Sequence, residues 1–233
     1  YSYKIKLLDP LFYSRESLSA AYTVPYLHAT AINLAIKFAL NLDPQEQPYL
    51  ISDENGGKNI PRYKNSLVSK DFYFTPARII TPFNYFPEIT KGENDGYIVK
   101  GGRATQGELF QAGVLNYIPP ETIFQGFLIE RKNYYWPRII RLGSFRGKAI
   151  LDLEELEILR SIKTPMIVSH PVDPLVCTVK KGIAINMFPY PIIENAECIS
   201  CILTKLHYKI AFPDEWSFPE ISFVKLGKKT TII

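Results

Sequence analysis

The chain has 233 residues, with 27 Lys plus Arg against 23 Asp plus Glu, 46% hydrophobic residues and a formal net charge of +4. Its length suffices for a closed core, and 15 tyrosines with 14 phenylalanines, which must be buried or used, exclude a disordered chain. So small a positive balance permits an anionic partner without requiring one, and the local distribution of charge decides.

The opening segment predicts a strand, because Tyr3, Ile5 and Leu7 alternate with Ser2, Lys4 and Lys6. Asp9 and Pro10 interrupt it, and Leu11, Phe12 and Tyr13 extend it. From Pro25 to Leu40 the period changes: Ala31, Leu34, Ala35, Phe38 and Ala39 recur at helical spacing, with Pro25 suited to a first turn and Asn41 to Pro44 as the stop. Residues 43–70 hold Pro44, Pro48, Gly56, Gly57 and Pro61 and read as an irregular insertion, uncommon in a compact domain unless it binds something. Extended segments are predicted at 71–80 and 98–100, then at 123–130 and 147–153, the last leading into Glu154, Glu155 and Glu157. In the final third they fall at 175–180, 183–188, 198–212 and 221–226, divided by Pro189, Pro191, Pro213 and Pro219. Residues 164–233 therefore read as a β-rich C-terminal extension. With neither internal repeat nor low-complexity linker, residues 1–233 read as a single compact α+β domain.

Three cysteines do not make a disulfide-stapled fold. Cys198 and Cys201 form a lone Cys-x-x-Cys pair, and with three histidines in all, a zinc site would have to recruit scattered ligands; thiols packed in a core are the favoured reading. No metal or cofactor is expected. No Arg-rich presequence or long apolar stretch occurs, so a soluble cytoplasmic protein with no membrane partner is expected. The sequence opens on Tyr1 and is read as beginning a few residues inside the full chain.

Charge concentrates in three places. Arg131, Lys132, Arg138, Arg141, Arg146 and Lys148 follow one another without an intervening acid, among Tyr134, Tyr135, Trp136, Phe145, Gly143 and Gly147. Arginine forks grip phosphate oxygens, rings stack on unpaired bases and glycine lets a backbone approach closely, so this segment predicts nucleic-acid contact. The alternative is a solvated hairpin whose arginines meet the acidic run that follows. A second patch comprises Lys58, Arg62, Lys64 and Lys70. The third, Lys100-Gly-Gly-Arg103-Ala-Thr-Gln-Gly107, matches neither a P-loop nor a dinucleotide fingerprint and reads equally as a phosphate cradle or a glycine-rich turn. Lys225, Lys228 and Lys229 read as a solvated end.

Catalytic groupings are weak. His28 is the candidate general acid or base for metal-independent RNA cleavage, with Tyr26 or a lysine to assist, but its place at the start of an apolar helix suits packing or capping better. His170 reads as a turn residue, His207 lies in an apolar segment, and no spacing shows that Asp173 orients a histidine.

Several stretches carry a family resemblance: Tyr3-Lys-Ile-Lys-Leu-Leu-Asp-Pro-Leu-Phe-Tyr-Ser14, Thr23-Val-Pro-Tyr-Leu-His28, Phe74-Thr-Pro-Ala-Arg78 and Pro137-Arg-Ile-Ile-Arg-Leu-Gly-Ser-Phe-Arg-Gly-Lys-Ala149. Together they resemble the fifth-type backbone subunit of type I-D CRISPR effector complexes, in the repeat-associated mysterious protein superfamily. The resemblance implies a modified ferredoxin-like, RNA-recognition fold with a β-rich extension and irregular insertions. It implies a non-catalytic subunit that binds the 5′ handle of CRISPR RNA and caps the helical backbone, between a neighbouring backbone subunit and the large effector subunit. Contact with target DNA near the protospacer-adjacent motif is left open. Arg138, Arg141, Arg146 and Lys148 fall in the Pro-Arg-x-x-Arg-Leu-Gly motif and its continuation, near RNA or the neighbouring subunit; Tyr26 and His28 are assigned to helix placement. Two other readings stand beside it, a precursor RNA endoribonuclease using His28 and a protein-only scaffold whose basic patches bind acidic neighbours.

Overall fold

In the computed structural model, residues 1–13, 20–42, 71–91, 112–216, 223–226 and 229–232 are described. In chain order they form β1 (Ser2–Leu7), β2 (Ala20–Tyr22), β3 (Tyr26–Leu27), α1 (Ala29–Ala39), β4 (Phe72–Phe74), β5 (Ala77–Ile79), β6 (Phe86–Lys91), β7 (Ala112–Tyr117) and β8 (Ile123–Glu130). There follow β9 (Ile139–Leu142), β10 (Gly147–Glu154), β11 (Ile158–Ile162), β12 (Met166–Ile167), β13 (Val179–Ile185), β14 (Ile192–Cys198), β15 (Cys201–Thr204), β16 (Lys209–Ala211), β17 (Phe223–Leu226) and β18 (Lys229–Ile232). The predicted strands at 98–100 and the insertion at 43–70 lie outside the described residues.

The central sheet has the order β3-β5-β8-β1-β10-β9, with β4 also paired to β8. β1 is antiparallel to both β8 and β10, and β5 is antiparallel to β8, so β1 and β5 run parallel with α1 as the crossover between them. That is the ferredoxin-like arrangement, in which the first strand lies between the third and fourth and the second flanks the third. The place of the second crossover helix is taken by segment 131–138, which forms neither helix nor strand and whose Tyr134 and Trp136 pack against the main core. The architecture is thus α+β, mostly strand with one helix among the described residues, as the ferredoxin-like expectation requires.

Alternation sets the two faces of this sheet. Ile5, Leu7, Phe124, Ala149 and Leu151 are buried in the core with Ile32 and Ile36 of α1. Helix α1 begins later than its periodicity predicts. Pro25 does not enter the first turn, because Tyr26 and Leu27 pair with Arg78 and Ala77 as β3, and His28 becomes the N-cap. Its Nδ1 accepts from the Thr30 N–H at 3.1 Å, so the capping assignment of His28 holds. The stop is as predicted: Asn41 adopts φ 52, its N–H donates to the Phe38 carbonyl and the Leu42 N–H to that of Lys37, a Schellman closure with asparagine in the left-handed position.

Other strands escaped the sequence pattern for identifiable reasons. Pro87 reads as a breaker, yet it sits in β6, an edge strand of the sheet β2-β7-β6, where a missing N–H costs no ladder bond on the open side. The predicted single strand at 198–212 is a hairpin, β15 and β16, whose turn places His207 at φ 63. The candidate at 175–180 is mainly a turn, with strand starting at Val179, and β14 follows Pro191 directly. The second core joins Tyr73 and Phe127 to Val168, Cys177, Cys198, Ile202 and Phe212. All three cysteines are free and buried there, and burial pushes the Cys198 thiol up to about 12 and that of Cys201 to about 11. Among the described residues no group of three or more His, Cys, Asp or Glu is placed to hold a metal.

Candidate nucleic-acid interface

The face of the central sheet turned away from α1 is built in rows by the strand register. One row runs Tyr26, Arg78, Gln125, Lys4 and Asp152; the next runs Ile123, Lys6, Ile150 and Ile139; the third is Lys148 with Arg141. Opposed residues of an antiparallel pair share a face, so these side chains form one surface. None of them is buried, whereas their immediate neighbours Leu27, Phe124, Ile5, Ala149 and Ile140 are. At Ser2 and Phe127, one row further, the surface closes: Phe127 meets the rings of His170 and Tyr208 at 5.4 and 5.1 Å. The result is an open basic floor with the C-terminal strands as a wall along one end.

Five cations and one carboxylate stand on this floor. Two are neutralised by acids remote in sequence, Arg78 by Glu194 of β14 at 3.1 Å and Lys6 by Glu121. Among the described residues no ion pair engages Lys4, Arg141 or Lys148. Such exposed cations, held in register by a rigid sheet, neutralise a phosphate chain without reading its sequence.

The structure divides the predicted site residues. Arg141, Arg146 and Lys148 come together on the β9–β10 hairpin, where Arg141 Nη1 donates to the Arg146 carbonyl at 3.2 Å. Arg138 is exposed immediately before β9, its carbonyl accepting from the Leu151 N–H. Arg131 is set apart. β8 is antiparallel to β1, so Ile123 lies level with Lys6 while Arg131 lies beyond Ser2, at the far end, with its guanidinium 5.7 Å from the centre of the Trp216 ring. Lys58, Arg62, Lys64, Lys100 and Arg103 lie outside the described residues. The segment also acquires an acid that its sequence lacks, since the Lys148 N–H donates to Asp9 Oδ2 at 2.7 Å.

Lys4, Lys6 and Arg78 were not among the predicted site residues. The alternation of β1 showed that Lys4 and Lys6 share a face; what stands beside them depends on strand order.

The aromatic residues divide too. Trp136 donates from Nε1 to Glu130 at 3.0 Å and packs edge-on against Phe72 and Phe74; the Tyr134 hydroxyl donates to Asp71 at 2.6 Å, which with burial pushes it up to about 12. These two are partly buried and pack against the core. Phe145 remains exposed at the turn.

His28 is not placed for catalysis. It is 2% exposed, its Nδ1 is occupied by the helix cap, and Nε2 is buried with no hydrogen-bond partner. Burial pushes it down to about 4.

A family model described as type I-D CRISPR-associated protein Cas5/Csc1 matches residues 1–220. No curated protein matches the chain. Among solved structures, one described as the type III-B Cmr-beta bound to cognate target RNA and AMPPnP is 11% identical, with 85% of this chain and 86% of that one covered at a TM-score of 0.39. Another, Cmr-beta bound to cognate target RNA, is 12% identical, with 88% and 87% covered at 0.41. At these scores neither likeness carries an argument.

Proposed function

Because the chain belongs to the type I-D CRISPR-associated Cas5/Csc1 family, we propose that it works as a non-catalytic backbone subunit that binds the 5′ handle of CRISPR RNA and caps the backbone beside the large subunit. The observation that supports the reading is the open sheet floor carrying Lys4, Arg141 and Lys148 with Arg146 at its margin. A single RNA strand laid there exchanges its counterions for fixed lysines and arginines, and guide pairing elsewhere in the assembly selects the target. In this reading Lys58, Arg62, Lys64, Lys100, Arg103, Arg131 and Arg138 also contact the RNA. The partners are the RNA handle, a neighbouring backbone subunit and the large subunit, in the cytoplasm. No helix among the described residues is long and apolar enough to cross a membrane.

Replacing Arg141 and Lys148 together by glutamine is expected to weaken handle binding about tenfold at physiological salt. The slope of log affinity against log salt falls by about 1.4, since each single-strand phosphate contact contributes about 0.7. Both side chains are exposed, so the folded state persists, which a urea transition checks. Unchanged affinity and salt slope in the folded double variant would reject the site. Lost assembly with intact handle binding would favour the protein-only scaffold, and metal-independent cleavage of precursor RNA, abolished by His28→Ala, would make the chain a nuclease.

A further inference from the structure

The β9–β10 turn carries a ring stack that the phosphate contacts do not use. Tyr117 is buried; Phe12, half-buried, lies 5.3 Å from it; and Phe145 lies over Phe12 at 5.8 Å with an interplanar angle of 29°, and 6.0 Å from Tyr117. Exposure therefore rises along the stack to 49% at Phe145. The turn beneath it is fixed from several directions. Gly143 is at φ 77, where a Cβ would lie 2.8 Å from Leu11 Cδ1 and 2.9 Å from the Phe12 carbonyl oxygen. The Ser144 N–H donates to that same Phe12 carbonyl at 2.8 Å. Arg146 is itself left-handed at φ 53, with its carbonyl held by Arg141.

We propose that Phe145 is a stacking seat for one unpaired base of the RNA strand held by Arg141, Arg146 and Lys148, a reading that rests on the handle-binding role above. The chemistry follows from the surroundings. A ring already backed by Phe12 loses little freedom when a base lies on it, in contrast to Tyr135, which at 98% exposure packs against almost nothing. Arg146 follows the ring in the turn, and Arg141 and Lys148, opposed across the hairpin beside it, hold phosphates next to such a nucleotide; the exposed arginines add a cation–π contribution to the base. A phenyl face reads no base edge, so the seat accepts every base and favours purines only through their larger area. The turn thereby fixes the register of the strand while leaving its sequence unread.

The test is a coupling experiment between protein and RNA. Phe145→Leu keeps an apolar side chain on Phe12 but removes the π face, and Phe145→Trp keeps it. Each is measured against handle RNAs bearing a single abasic nucleotide at successive positions, with the chain alone and in the assembled complex. Phe145→Leu is expected to cost about tenfold in affinity. The salt slope stays unchanged, because no phosphate contact is lost. The loss is absent with one particular abasic RNA, which binds both proteins equally weakly. Phe145→Trp binds as tightly as the parent. Wild-type affinity for Phe145→Leu, or the same tenfold loss with every abasic RNA, would overturn the seat. If Arg141→Gln with Lys148→Gln weakens binding while Phe145→Leu does not, the seat alone fails. If neither variant affects binding, the handle-binding reading fails with it.

Discussion

Replacing Asn33 by alanine is expected to lower the unfolding free energy by about 3–5 kcal/mol, which is a large part of the stability of an ordinary domain. Asn33 lies on the buried side of α1, 1% exposed. Its Nδ2 donates to the Ala29 carbonyl and to the Phe74 carbonyl, both at 2.8 Å, and its Oδ1 accepts from the Phe74 N–H at 3.0 Å. Phe74 is fully buried in β4, which among the described residues pairs with β8 alone. The asparagine amide stands where a further strand would stand and satisfies both backbone groups at once. Alanine leaves that N–H and C=O buried and unpaired, and each such group costs about 1–3 kcal/mol. Asn33→Asp separates this account from loss of packing. The carboxylate keeps the Phe74 N–H but sets its other oxygen against two carbonyls, so it stays protonated to higher pH in the folded chain than in the unfolded one. Its stability therefore falls as pH rises and partly recovers at acidic pH. Urea unfolding at pH 7 for both variants, and at pH 5 for the aspartate, measures this. An alanine variant within about 1 kcal/mol of the parent would show that water takes over the amide's role.

Asn33 also marks where legibility ends. In the sequence it is one polar position inside an apolar helix, and nothing near it announces that a strand edge 41 residues away depends on it. Elements that carry their own register were readable: β1 through Tyr3, Ile5 and Leu7, β8 over Ile123–Glu130, β10, and the helix stop at Asn41. What escaped is whatever strand order decides. Lys4 and Lys6 stand beside Lys148 and Arg141 only because β10 is inserted between β1 and β9. The acids Asp9, Glu121 and Glu194 reach the basic face from distant segments, so a charge run free of acid in the sequence is not free of it in space. Tyr134, Trp136 and Phe145 have the same aromatic character, yet where a second crossover helix would lie the first two pack against the core, and the third stays outside.

Acid is expected to destabilise the fold before it protonates most carboxylates, through two histidines held neutral. His28 caps α1 through Nδ1, so its proton sits on Nε2; His170 accepts the Ala211 N–H on Nε2 at 3.0 Å, so its proton sits on Nδ1 and is donated to the Pro171 carbonyl at 2.7 Å. Adding a second proton to either ring sets N–H against N–H, and in His28 places a cation at a helix N-terminus. Burial pushes both from an ordinary 6.5 down to about 4. The unfolded chain then takes up these protons first, so their contribution is complete above about 6.5 and is lost as pH falls toward 4. Asp173 acts in the opposite sense: burial raises it from 3.8 to about 6, so the folded chain takes up that proton first and gains as pH falls through this range. Two histidines outweigh one carboxylate, and between pH 7.5 and pH 5 the net loss is about 2–3 kcal/mol. His28→Ser removes one of the two histidine contributions and leaves the other nearly balanced by Asp173, because serine caps a helix as well and does not titrate. Its absolute stability falls through the space left beside Tyr190, whose ring meets that of His28 edge-on at 4.5 Å, but that cost is the same at both pH values. Urea midpoints at pH 7.5 and pH 5 are expected to show the acid loss shrinking to under about 1 kcal/mol in His28→Ser. An undiminished loss would mean that His28 already carries its proton in the folded chain and that the cap is made in some other way.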